Sequence, residues 1–312
     1  MSDVPITKNL TIFGKSIPVK GYLCAKNGCP YQEKPDPLKI QLVICPTFHC
    51  GAHCPFCVAA GDTGKRGHLD PKKLERLLAE LEQQQVIRGI SITGGEPMAD
   101  IVLLDEIIEM IFDICGVEME ISINTNGSAL SGLRKISRLP FVDAVHISRH
   151  HYDDVKNQAY FGIPVARAEE IREFSGIVKD PKLFCFNCLL LKDGIGSTEE
   201  MFRFLDFTAE TGIPKAGFVT PMVVNPYVEQ NMVSYEDIFP REDPRVFYTK
   251  EYCDYTYCRC RDGVYATDSG KLVEFYGRET MAGGPEYARV LVYGADDVLR
   301  TGYGEKARVI YE

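Results

Sequence analysis

Short apolar runs alternate with longer stretches of helical period through the middle of the chain. Six runs read as strands: Ile40–Cys45, Ile87–Thr93, Glu118–Asn124, Ala144–Ser148, Phe184–Leu191 and Ala216–Thr220. Between them, Pro71–Gln85, Ile101–Cys115 and Ser197–Thr211 carry apolar residues at helical spacing. Asp70 reads as the N-cap of the first, with Pro71 at its first helical position, and Ser197-Thr198-Glu199-Glu200 has the form of a capping box. Further helices are expected after Asn126 and around Ala166–Phe174.

Strands and helices in alternation imply a parallel sheet with right-handed crossovers. Six βα units are too few for a closed eight-fold barrel, so the fold class is α/β, a partial (β/α)6 TIM-like barrel with a C-terminal auxiliary extension. Ligands belong at the C-terminal ends of such strands. We divide the chain into an N-terminal extension, 1–36, a barrel core, 37–224, and a C-terminal extension, 225–312, with Pro221, Pro226, Pro240 and Pro244 marking the transition.

Composition narrows the function classes. The net charge of −9 disfavours a nucleic-acid partner, which needs a basic footprint. No run is long or apolar enough to span a membrane, and Met1-Ser2-Asp3-Val4-Pro5 has neither the basic nor the apolar region of a secretory signal. Twelve cysteines without such a signal point to a reducing cytoplasm and to metal ligation or catalysis.

The chemistry concentrates in Cys50-Gly-Ala-His-Cys54-Pro-Phe-Cys57. Three thiolates on one short loop suit three irons of a [4Fe–4S] cube, and the fourth iron is then open to a small molecule. Gly94-Gly95-Glu96-Pro97 follows the apolar run from Val86 to Ile92. Two glycines at a strand end let backbone come close to a ligand, and Glu96 can accept hydrogen bonds from an ammonium group. Alone, this tetrapeptide is a common turn.

One βα unit after the cysteine loop, it resembles the radical S-adenosylmethionine (SAM) superfamily, which pairs such a triad with a Gly-Gly-Glu-Pro strand end. The resemblance spans 39–222. It implies that SAM binds the open iron and that its reductive cleavage gives a 5′-deoxyadenosyl radical. It also implies an electron donor of flavodoxin or ferredoxin type. It places Phe56 near the adenine, Gly94, Gly95 and Glu96 at the methionine end, Ser148 near the SAM carboxylate or ribose, and Met222 near the adenine. Core packing for Phe56 and Met222, and a strand-end cap for Ser148, are the competing readings. In Ser148-Arg149-His150-His151-Tyr152-Asp153-Asp154, Arg149 is a candidate for holding a carboxylate or phosphate, and His150 or His151 for acid, base or substrate contact. A solvated loop is the alternative.

Cys258-Arg259-Cys260 through Gly270-Lys271-Leu272 resembles the auxiliary-cluster hairpin of the molybdenum-cofactor GTP 3′,8-cyclases and of their twitch and SPASM relatives. The match is incomplete. The pair is C-x-C instead of C-x2-C, Glu274 occupies the position of the third cysteine, and Ser91 stands where the cyclases carry a substrate-binding arginine. GTP is therefore not carried over. Cys253, Cys258 and Cys260 are candidates for a second cluster, with Cys24 and Cys29 as further donors; zinc, or no metal, remains open there. The expected activity is hydrogen-atom abstraction from a small polar metabolite. A maturase acting on a ribosomally made peptide is the alternative, and a non-catalytic iron–sulfur carrier or sensor is the rival from another class.

Overall fold

The computed structural model describes residues 4–23, 40–60, 67–136, 138–178, 180, 183–240, 243–251, 263–268, 270–277, 288, 290–304 and 307–312. Strands β1 (Val4–Ile12) and β2 (Lys15–Leu23) pair as an antiparallel hairpin. The remaining strands form one sheet: β3 (Ile40–Ile44), β4 (Ile87–Ile92), β5 (Glu120–Thr125), β6 (Ala144–Ser148), β7 (Phe184–Leu189), β8 (Lys215–Thr220), β9 (Val246–Glu251), β10 (Gly263–Thr267), β11 (Leu272–Gly277), β12 (Val290–Tyr293), β13 (Leu299–Arg300) and β14 (Val309–Tyr311). Strands β3 to β8 lie side by side in chain order, all parallel, as expected from the alternating pattern.

The parallel sheet is wider than six strands. β11 adds in parallel to β8 at one edge, and β12 adds in parallel to β3 at the other. Beyond them run antiparallel edge strands, β10 and β9 on one side and β13 and β14 on the other, so the barrel stays open.

The helices are α1 (Pro71–Gln83), α2 (Ile101–Cys115), α3 (Asp154–Phe161), α4 (Ala168–Ile177), α5 (Thr198–Thr211), α6 (Pro226–Asn231) and α7 (Tyr235–Ile238). Asp70 caps α1, accepting from Lys72 N–H at 2.9 Å, and Asp100 caps α2. The first helix stops short of Gln85 because that residue takes φ 52° and turns the chain into β4. After Asn126 the expected helix is replaced by two 3-10 turns, Leu130–Lys135 and Leu139–Phe141. Gly132 there abuts Ile101, where even a Cβ would lie 2.7 Å from its Cδ1.

One face of the sheet packs on the helices. Ile90, Ile92, Ile121, Ile123, Phe186 and Phe218 belong to that buried core. Residues alternating with them point into the concave face. On β7 this puts Cys185 and Cys188 on opposite faces: Cys188 belongs to the helix-side core, whereas Cys185 feels the charges of Lys215 and Glu274.

Candidate active site

The loop that follows β3 carries Cys50, Cys54 and Cys57, and it is held at both ends. At its start, Cys45 N–H donates to the Tyr293 carbonyl of β12 at 2.9 Å. Farther on, His53 N–H donates to the Phe161 carbonyl at the end of α3 (2.8 Å), and Asn225 Nδ2 donates to the Pro55 carbonyl at 2.8 Å. The side chain of Asn225 also caps α6, so one residue ties that helix to the cysteine loop.

The Gly-Gly-Glu turn docks directly onto this loop. Gly95 N–H donates to the Thr47 carbonyl at 2.9 Å, and Glu96 N–H to the His49 carbonyl at 2.8 Å. Gly94 adopts φ 119°, and a Cβ there would sit 2.9 Å from Cys45 Cβ. At Gly95 a Cβ would meet the His49 carbonyl oxygen at 2.2 Å. The two glycines therefore admit the backbone of the chain's own cysteine loop.

Glu96 is 5% exposed. Its Oε1 accepts from Met98 N–H (3.0 Å) and from the Thr125 hydroxyl (2.7 Å), and its Oε2 from Asn126 N–H (2.7 Å). Burial pushes its carboxyl above the ordinary carboxylate range, and these three donors pull it partly back. All three donors are neutral, so an ammonium group is the partner that would compensate the buried charge.

The thiols lie in the same setting. Burial raises Cys50, while a contact from the Ala52 N–H and Asn126 Nδ2 at 3.8 Å favour its thiolate. Cys54 is pushed up to about 12 by burial and then by the neighbouring Cys57 and Cys50. A thiol of that kind deprotonates when metal takes its proton's place. Among the described residues, no three His, Cys, Asp or Glu side chains converge on the position of a single ion. The donor set, three thiols beside a buried carboxylate, fits a three-thiolate cluster with one open iron.

Phe56, buried before the last cysteine, sets its ring edge-on to His150 at 4.6 Å and tilted to Tyr160 at 5.7 Å. His150 Nδ1 accepts from Leu189 N–H at 3.1 Å, so this histidine ends β7 and backs Phe56. Ser148 closes β6 opposite Asn187, and Met222 lies buried two residues past β8. Arg149 is not where a substrate-holding arginine was expected. It is 1% exposed; its Nε donates to the His151 carbonyl and Nη1 to the Ala166 carbonyl, both at 3.0 Å. Nη2 donates to the Tyr152 carbonyl and pairs with Asp154, and the guanidinium covers the Phe207 ring at 4.3 Å. Its donors are engaged inside the protein, as a brace for the turn into α3.

Glu274, at the position of the third cysteine, receives Lys215 Nζ at 3.0 Å. Cys253, Cys258 and Cys260, with Cys24 and Cys29, lie outside the described residues. Sequence reasoning missed the clamp behind Phe56, in which the hydroxyls of Tyr160 and Tyr227 each donate to Asp193 at 2.9 Å. Gly194 makes room for it, since a Cβ there would lie 2.5 Å from the Tyr160 hydroxyl. A tyrosine in a loop-flanking helix carries no sequence signal of such a role. No helix among the described residues is long and apolar enough to cross a membrane.

Comparison with known proteins agrees with this geometry. The profile described as "Radical SAM superfamily" matches residues 44–232, more than half of the chain. The "Probable GTP 3',8-cyclase" of Thermococcus kodakarensis is 29% identical over 175 residues, which cover 55% of this chain and 54% of that protein. That of Thermoplasma volcanium is 31% identical over 126 residues, 40% of this chain and 36% of its own. The chain thus spans about half the length, or less, of the curated relatives it matches. Among solved structures, Streptococcus suis SuiB bound to S-adenosylmethionine superposes over 88% of this chain and 63% of its own with a TM-score of 0.55, at 17% identity, a likeness of fold. The chain belongs to the radical SAM superfamily, enzymes that work with a [4Fe–4S] cluster and S-adenosylmethionine.

Proposed function

We propose that Cys50, Cys54 and Cys57 hold a [4Fe–4S] cluster, that SAM sits between it and Glu96, and that the enzyme abstracts a hydrogen atom from a small polar metabolite. The observation that carries this reading is the docking of the Gly94–Glu96 turn on the cysteine loop, which sets a buried carboxylate with neutral partners beside three thiols. The bound cluster and SAM would supply the radical chemistry that takes the hydrogen.

The chain's own residues bind and orient. Glu96 accepts from the SAM ammonium, and Gly94 and Gly95 offer backbone beside it. Phe56, backed by His150 and the Tyr160–Asp193 contact, covers the adenine. Met222 would lie near the adenine, and Ser148 would meet the carboxylate or ribose. Asn126 donates toward Cys50 Sγ, a contact that tunes cluster potential. The reductant is an external flavodoxin or ferredoxin. The relatives' name specifies GTP for those proteins; Ser91 stands where the family resemblance implies a substrate-binding arginine, and the substrate is therefore left at the class of small polar metabolites.

Anaerobic reconstitution tests this, with iron and sulfide quantified and 5′-deoxyadenosine assayed after dithionite and SAM. About four irons in wild type, absent from a Cys50/Cys54/Cys57 triple-Ala variant, with deoxyadenosine from wild type alone, is the expected result. Iron retained in the triple variant would assign a second cluster to Cys253, Cys258 and Cys260. Bound iron without deoxyadenosine, and without a SAM-induced shift of the reduced-cluster EPR signal, would overturn the catalytic reading.

A further inference from the structure

The concave face of the sheet holds a polar arch that the cofactor site does not use. Asn124 Nδ2, on β5, donates to Ser91 Oγ on β4 at 2.8 Å. Asn187 Nδ2, on β7, donates to Asn124 Oδ1 at 3.4 Å. Strands β5 and β7 are not neighbours: β6 runs between them, so their backbones stand roughly 9–10 Å apart. The two amides meet only by leaning toward each other across the inner face of β6. Thr125 and Asn126, the residues after Asn124, hold the Glu96 carboxylate, so the arch lies one step below the cofactor site on the same strand end.

His146 of β6 lies on this face between Asn124 and Cys185, and the full charges nearby, Lys215 and Glu274, are matched within the wall. Lys215 Nζ on β8 meets Glu274 Oε1 on β11 at 3.0 Å, on the same concave face, with Cys185 beside them. A phosphorylated or carboxylated group entering here would compete with Glu274 for Lys215 and tend to leave that partly buried carboxylate without its cation. An uncharged amide makes no such demand. Asn124 spends one amide hydrogen on Ser91 and one lone pair on Asn187, which leaves one hydrogen and one lone pair on the same planar group, and it is only partly buried. A donor beside an acceptor is the pattern with which asparagine reads an amide or base edge in paired fashion.

We infer that Asn124, steadied by Ser91 and Asn187, is a specificity-determining residue that reads an uncharged amide or lactam edge of the substrate, inserted toward the base of the barrel. This rests on the proposed reading that the hydrogen-abstraction site lies above it. Two sources offer that chemistry, the lactam edge of a nucleobase and a peptide amide. Each has a neutral probe, guanosine and N-acetylglycinamide, with GTP as the charged counterpart of the first.

The test is calorimetric titration of the anaerobically reconstituted, SAM-loaded protein with each probe. One of the neutral probes is expected to bind at least tenfold more tightly than GTP. Asn124→Asp, which replaces the amide hydrogens with a second acceptor and a charge, is expected to weaken that probe at least tenfold. If that variant fails to fold, Ser91→Ala, which releases the arch at one end, is expected to weaken it several-fold. GTP binding most tightly, an Asn124→Asp or Ser91→Ala variant binding like wild type, or no saturable binding of either neutral probe would each overturn the inference. Iron content and the SAM-induced EPR shift, measured on the same samples, separate these outcomes from failure of the cluster reading itself. The winning probe tells nucleobase from peptide.

Discussion

Gly95 shows how much a single hydrogen atom in place of a side chain can decide. A Cβ there meets the His49 carbonyl at 2.2 Å, against backbone that cannot rotate away. Gly95→Ala should undock the turn from the cysteine loop and cut cluster content at least tenfold while leaving far-UV circular dichroism unchanged; full iron loading would contradict the docking argument. Glu96 carries the pH dependence. Burial raises its carboxyl above the ordinary value of about 4.3. Only the ionised form attracts an ammonium, so SAM affinity should fall as pH drops through that raised value and recover above it. Glu96→Gln should bind SAM at least tenfold more weakly, with a profile flat over the same range, measured by titrating the EPR shift. Arg149 belongs with stability. Arg149→Met would strand three backbone carbonyls and leave Asp154 with only the Ala168 N–H, and should destabilise the fold by about 3 kcal/mol in urea unfolding. A loss below about 1 kcal/mol would return Arg149 to the list of substrate contacts.

Helix caps legible in sequence behave as their chemistry requires. Ser197 Oγ accepts from Glu200 N–H at 3.2 Å and starts α5 where the pattern put it. Ser197→Ala should cost about 1 kcal/mol of unfolding free energy, with no effect on cluster loading, because α5 packs on the outer face of the sheet. The connection after β6 is the element that the pattern failed to predict. Its polar heptapeptide reads as a candidate substrate contact, with a solvated loop as the alternative, and no helix is expected there; yet Asp153 caps α3 by accepting from Lys156 N–H at 2.9 Å, and His151 Nδ1 accepts from Asp153 N–H at 2.9 Å. The helix is short and weakly amphipathic, and it depends on the buried Arg149 fork beneath it, which no local periodicity reveals. The converse occurs after Asn126, where a helical pattern yields to 3-10 turns in which Gly132 lies close against Ile101 of α2.

At the scale of the whole molecule, the sheet owes little to the cofactor. Its core runs from β12 through β3 to β8 and β11, and the cysteine loop is a single excursion from it. The Cys50/Cys54/Cys57 triple-Ala variant should therefore unfold within about 2 kcal/mol of the iron-free wild type, as a wide core with few altered contacts predicts. Unfolding of the variant at the start of the titration would make the cluster part of the fold. The sequence by itself determined the parallel α/β core, the cysteine triad and the Gly-Gly-Glu-Pro turn, because periodicity and motif spacing are local properties that neighbouring residues carry together. Tertiary structure alone decided that β11 and β12 widen the sheet at opposite edges, that Arg149 turns inward, and that Glu274 meets Lys215. It alone joined Asn124 to Asn187, 63 residues on, and Lys215 to Glu274, 59 residues on. Contacts across such separations depend on which strands become neighbours, and that is settled by burial of the whole sheet and not by any segment of the chain.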